Sequence, residues 1–169
     1  SNKIQSYAHQ EFNKGKFTDV TKIRDRIKKK PSLSNIQSLN DMTLVTSKNH
    51  SNKNLQDLID KIIFKKINIM GSIGCKISSI LRGDSDIYIA LSKPKQSSPK
   101  DWDFAAPEAI LKTAGGAMTN LENKDLIYKK TNFEQRGIII ASNNKHNHEK
   151  VCFQIKHIIE RYDIYPFDY

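Results

Sequence analysis

The chain has 169 residues, long enough for one domain with a buried core, and its 37% hydrophobic content leaves a strongly polar remainder. A formal net charge of +10 and a pI near 9.5 favour an anionic partner. No apolar run approaches the roughly 18 residues that span a bilayer, and the N-terminus has no signal-peptide core, so no membrane partner is expected. Cys75 and Cys152 lie far apart, which gives no support to a zinc site and points to reduced thiols in a cytoplasmic protein.

Residues 1–41 are rich in Lys, Asn, Ser and Gln, and Pro31-Ser32-Leu33-Ser34-Asn35 reads as a connecting turn. The densest basic run, residues 22–30, carries no interleaved aromatic side chain for base stacking. It therefore reads as a solvated face, and nucleic acid takes second place to a small, multiply phosphorylated partner. The pattern then sharpens into strands at 42–46, 67–70, 87–91, 117–121 and 137–141. Helices are predicted at 54–64, with Leu55, Leu58, Ile59, Ile62 and Ile63 inward, at 74–81, at 104–114 and at 146–162. The last is capped by the Asn143-Asn144 region and buries Val151, Cys152, Ile155, Ile158 and Ile159. About five strands alternating with four helices predict an α/β fold, a layered mixed or mainly parallel sheet with helices on both faces.

The stretch from Asp101 to Asn120 is the most informative. Asp103 is placed to cap a helix starting at Phe104, and Ala105, Ala106, Ala109, Ile110 and Ala114 offer a smooth packing face. Gly115 and Gly116 supply the positive φ that stops the helix. Residues 92–100 read as a mobile loop ahead of this helix, placed to cover a substrate. Ligands of α/β sheets bind at the carboxyl ends of strands, so Ser72, Ile73 and Asp103 are expected to face one crevice suited to a phosphate. Trp102 reads as a packing residue, and His146 and His148 as surface residues.

The run Trp102-Asp103-x-Ala105-Ala106-Pro107-Glu108-x-Ile110-Leu111-x-x-Ala114-Gly115-Gly116-x-x-Thr119 resembles the C-terminal signature of the inositol monophosphatase superfamily of lithium-sensitive, magnesium-dependent phosphatases. Within it, the CysQ-type 3'(2'),5'-bisphosphate nucleotidases are most similar. Val45-Thr46-Ser47-Lys48-Asn49-His50 is similar to their upstream strand and turn, and Gly71-Ser72-Ile73-Gly74-Cys75-Lys76 to their Gly-Ser loop and Lys-bearing helix. Arg82-Gly83-Asp84-Ser85-Asp86-Ile87-Tyr88 resembles the next strand entry, and Leu126-Ile127-Tyr128 and Gly137 to Asn143 the final strands.

This resemblance implies that Asp103 ligates Mg2+ and helps orient an attacking water, with Gly71, Ser72 and Ile73 forming a phosphate-binding turn and Lys76 and His50 contacting substrate. The family's Glu-Glu pair and Asp-Pro-x-Asp-Gly-Thr loop, which supply the other metal ligands, are absent from this sequence. The resemblance thus implies the C-terminal part of a longer enzyme, residues 42–169. Residues 1–41 would be a remnant of the preceding domain and crossover, and the missing N-terminal half the natural partner; a homodimer stays open. Two departures stand out. One residue too many separates Ser72 from Lys76, and Ile89-Ala90-Leu91 follow Tyr88 where nucleotidases carry an Arg. The alternatives are an inositol monophosphatase or other sugar-phosphate phosphatase, and a non-catalytic basic module that binds nucleotides or nucleic acid.

Overall fold

The computed structural model describes residues 38–47, 53–92, 98–129 and 131–164. His50, most of the preceding-domain segment and the centre of the loop before Asp103 lie outside them. Five strands and four α-helices follow one another in the predicted order: β1 (Thr43–Ser47), α1 (Lys53–Ile62), β2 (Lys66–Met70), α2 (Ile73–Arg82), β3 (Ile87–Ser92), α3 (Asp101–Thr113), β4 (Ala117–Asn120), β5 (Gly137–Ser142) and α4 (Lys145–Tyr162). The sheet runs β2-β1-β3-β5-β4. β1 pairs in parallel with β2 and β3, whereas β5 is antiparallel to β3 and β4. The sheet is therefore mixed.

Alternation along the strands sends side chains to two cores. Leu44, Ile87, Ile89, Ile138 and Ile140 face α1 and α4, where Leu58, Ile59, Val151 and Ile155 close over them. Val45, Tyr88, Ala90, Ile139 and Ala141 face Ile77 and Ile80 of α2 and Phe104 and Leu111 of α3. Central strands buried on both faces read as apolar runs, as Ile138-Ile139-Ile140-Ala141 does.

Local chemistry sets the element ends. Ser72 Oγ accepts the Cys75 N–H at 3.2 Å to start α2, and Gly83 (φ 81°) ends it in the left-handed conformation. Asn144 Oδ1 accepts the His146 N–H at 2.9 Å to start α4. Asp86, at the entry to β3, binds the Thr43 N–H (2.9 Å) and the Asn143 side-chain amide (3.0 Å). It ties three strands together at the edge opposite their β1–β3 carboxyl ends.

Several expectations are corrected. Helix α1 stops at Ile62, so Ile63 takes φ 53° and is 71% exposed instead of facing inward. Leu126-Ile127-Tyr128 joins no strand; Tyr128 is tethered instead by its hydroxyl, which donates to Glu108. Of the two stop glycines only Gly115 has positive φ, at 92°. Gly116 is needed for space, because a Cβ there would lie 2.6 Å from the Ser142 carbonyl oxygen and 2.6 Å from Leu111 Cδ1. Among the described residues no helix is long and apolar enough to cross a membrane.

Candidate functional site

The three parallel strands end on one edge, and two helix N-termini open there on the same side of the sheet. From β2 the chain passes through Gly71 and Ser72 into α2, and the segment after β3 leads into α3. The helices pack against one another through the second core. Gly71, Ser72, Ile73 and Lys76 thus follow the carboxyl end of β2, and Asp103 lies in the first turn of α3, the helix that follows β3; His50 lies outside the described residues.

The turn into α2 is open. A Cβ at Gly71 would meet nothing within 4 Å, and Ser72 is exposed. The N–H groups at the helix start have no carbonyl four residues back; Ser72 satisfies that of Cys75, and those of Ile73 and Gly74 remain as donors for an anion.

Lys76, one turn further, is 2% exposed. Its ammonium donates to the Gly71 carbonyl and sits 5.5 Å from the centre of the Tyr88 ring. Burial pulls this ammonium below the usual lysine range, partly offset by neighbouring Cys75. Lys76 is therefore a buried brace beneath the turn. The open space at Gly71 and the braced carbonyl fix the turn's shape.

Asp103 is exposed and sits inside α3, not at its cap: the helix begins at Asp101, with Lys100 in the cap position. Its Oδ2 accepts the Lys100 N–H at 2.8 Å, so it satisfies an orphan donor from the third helical position. Its charge reaches Tyr88. Burial first, and the negative charge of Asp103 second, push the Tyr88 phenol upward. Tyr88 is itself buried, at 5% exposure.

Helix α3 buries Asp101, Phe104, Glu108 and Leu111, a spacing of three, four and three; of the expected packing face Ala105 and Ala106 are exposed, whereas Ile110 and Ala114 do pack against the second core. The two acids on the buried face are residues that sequence reasoning missed. Asp101 accepts the Lys129 N–H (2.6 Å) and the Gln135 side-chain amide (2.7 Å). Glu108 accepts from Tyr128 and pairs with Lys112 at 2.6 Å. Their helical spacing with Phe104 and Leu111 was the available signal. Trp102 is 65% exposed and does not pack into the core. His148, expected at the surface, is 1% exposed and bridges Ser142 Oγ (2.7 Å) and Thr119 Oγ1 (2.8 Å), while His146 is exposed as expected.

Magnesium takes oxygen donors in octahedral geometry. Among the described residues no group of three or more His, Cys, Asp or Glu could hold a metal ion. Asp103 is a single carboxylate with one oxygen committed to the Lys100 N–H. The described residues therefore do not fit a magnesium centre by themselves.

The inositol monophosphatase family model matches residues 5–160. The chain belongs to the inositol monophosphatase family. Curated relatives include 3'(2'),5'-bisphosphate nucleotidase 1 of Rattus norvegicus, 30% identical over 103 residues, 60% of this chain and 32% of the relative. The protein of the same name from Dictyostelium discoideum is 32% identical over 117 residues, 67% of this chain and 35% of that protein. Among solved structures, the Thermotoga maritima IMPase aligns with a TM-score of 0.54 at 23% identity, covering 76% of this chain and 46% of that one. The inositol monophosphate-bound SaIMPase-II aligns with a TM-score of 0.56 at 19% identity, covering 75% of this chain and 46% of its own. The solved structures share the mixed-sheet fold. The chain spans about a third of the length of these curated relatives and under half of these structures.

Proposed function

We propose that residues 42–169 form the phosphate-binding α/β part of a magnesium-dependent phosphomonoesterase, and that its substrate is 3'-phosphoadenosine 5'-phosphate or the sulfated form. Residues 1–41 belong, in this reading, to the crossover from a preceding domain. The observation that carries it is the meeting of two helix N-termini at one sheet edge, one offering backbone N–H groups and the other the Asp103 carboxylate. The Ile73 and Gly74 N–H groups and the Ser72 hydroxyl donate to phosphate oxygens. Lys76 holds the Gly71 carbonyl so that the turn keeps this shape when the anion arrives. Among the described residues Asp103 is the carboxylate proposed as a metal ligand, and the other oxygen donors would come from outside them.

Relatives named bisphosphate nucleotidase favour the adenosine substrate. The second reading, an inositol or other sugar phosphate, is favoured by the hydrophobic Ile89-Ala90 run after Tyr88, which offers no fork of donors for a second phosphate. The two part on a rate comparison in the presence of Mg2+. Phosphate release from 3'-phosphoadenosine 5'-phosphate should exceed that from inositol 1-phosphate by at least about tenfold, a 1.4 kcal/mol preference. Equal rates, or a preference for the inositol ester, would overturn the nucleotidase reading. Salt-sensitive polyanion binding without any turnover would point to the non-catalytic module.

A further inference from the structure

We infer that Trp102 and Phe133 form an aromatic ledge beside the Asp103 end of α3, on which the base of a nucleotide substrate stacks; this rests on the nucleotidase reading above. Trp102, the sole tryptophan of the chain, occupies the first turn of α3 next to Asp103. It is 65% exposed and Phe133 50% exposed. Their ring centroids lie 6.1 Å apart with planes tilted by 42°. Rings in this relation already touch as an aromatic pair, so a base lies against their outer surface and not between them.

The backbone beneath Phe133 shows that this exposure is held in place. Asn132 (φ 65°) and Phe133 (φ 55°) both adopt the left-handed conformation, an outlier for a bulky aromatic residue. Buried Asp101 clamps both sides of the segment through Lys129 and Gln135, and the Gln135 N–H donates to the Pro99 carbonyl at 2.9 Å. The Lys100 ammonium donates to the Asn132 carbonyl (3.2 Å) and to Glu134 (3.0 Å). Strained backbone and a buried carboxylate thus hold a phenylalanine out beside an exposed tryptophan, at the helix end that carries Asp103. A purine offers a flat π-face to such a ledge, and an inositol ring offers none.

The test is calorimetric titration of the purified chain and of its Trp102→Leu and Phe133→Leu variants with 3'-phosphoadenosine 5'-phosphate and with inositol 1-phosphate. Melting curves establish that each variant is folded. Loss of stacking is expected to weaken the adenosine ligand by about tenfold and leave inositol 1-phosphate unchanged. Trp102→Phe, which keeps a ring, should restore most of the affinity, and the parent's tryptophan fluorescence should respond to the adenosine ligand alone. Unchanged adenosine binding in both leucine variants overturns the ledge while leaving the nucleotidase reading intact, as does equal weakening of both ligands. Failure of the parent to bind the adenosine ligand at all overturns that reading, and the ledge with it.

Discussion

Two buried polar side chains, Lys76 and His148, show how single residues serve this fold in different ways. An ammonium at 2% exposure costs solvation free energy that one carbonyl and one ring face return only in part. Lys76→Met should therefore leave the urea midpoint unchanged or raise it, while substrate affinity falls by about tenfold, the scale of one charged hydrogen bond. A drop in midpoint with affinity intact would show that the brace serves stability alone. His148 is different, because both ring nitrogens meet hydroxyls in a closed site. Burial, and after it the charge of Lys112, pull it down to about 4. Protonation is thus easier in the unfolded chain than in the folded one, so stability is complete above about pH 6.5 and declines as pH falls toward 4. Denaturation midpoints across that window should slope, and His148→Gln should flatten the slope. His148 was misread as a surface residue, although with Val151, Cys152 and Ile155 it falls on the helical spacing of the buried face of α4. The role of Lys76 was not legible, since no local pattern tells that a lysine will turn under its own loop.

At the scale of elements, α3 organises its surroundings. Its first turn carries Asp103 and Trp102, and its buried face carries two acids that fasten Tyr128, Lys129 and Gln135. Its end is set by the glycine pair, each member for its own reason. Gly116→Ala would press a methyl group into the Ser142 carbonyl, and a loss of about 1–3 kcal/mol is expected from urea denaturation. No loss would mean that β5 yields easily at Ser142. The order and type of the elements were readable because each apolar run keeps a clear period and most ends have a chemical marker, such as Ser72, Gly83 or Asn144. Segment 126–128 was misread because a short apolar run looks the same whether a ladder or a side-chain tether holds it. Ala105 and Ala106 of α3 were misjudged because two acids took the inward positions.

For the whole molecule, three parallel strands flanked by an antiparallel pair bring the carboxyl ends of β1, β2 and β3 to a single edge. Sheet order could not be read from the sequence, since it depends on pairings such as Ile89 with Ile140 between distant segments. Gly71, Ser72, Ile73 and Asp103 were legible as candidates from their motifs, whereas the surroundings of Tyr88, Asp101 and Phe133 emerge only from the tertiary arrangement. The most direct measurement of the central claim is magnesium-dependent phosphate release from 3'-phosphoadenosine 5'-phosphate by a purified protein containing this sequence, compared with its Asp103→Asn variant. Asparagine keeps an oxygen for the Lys100 N–H, so the melting temperature should hold while release falls by at least about a hundredfold. Undiminished release from the folded variant would contradict the account.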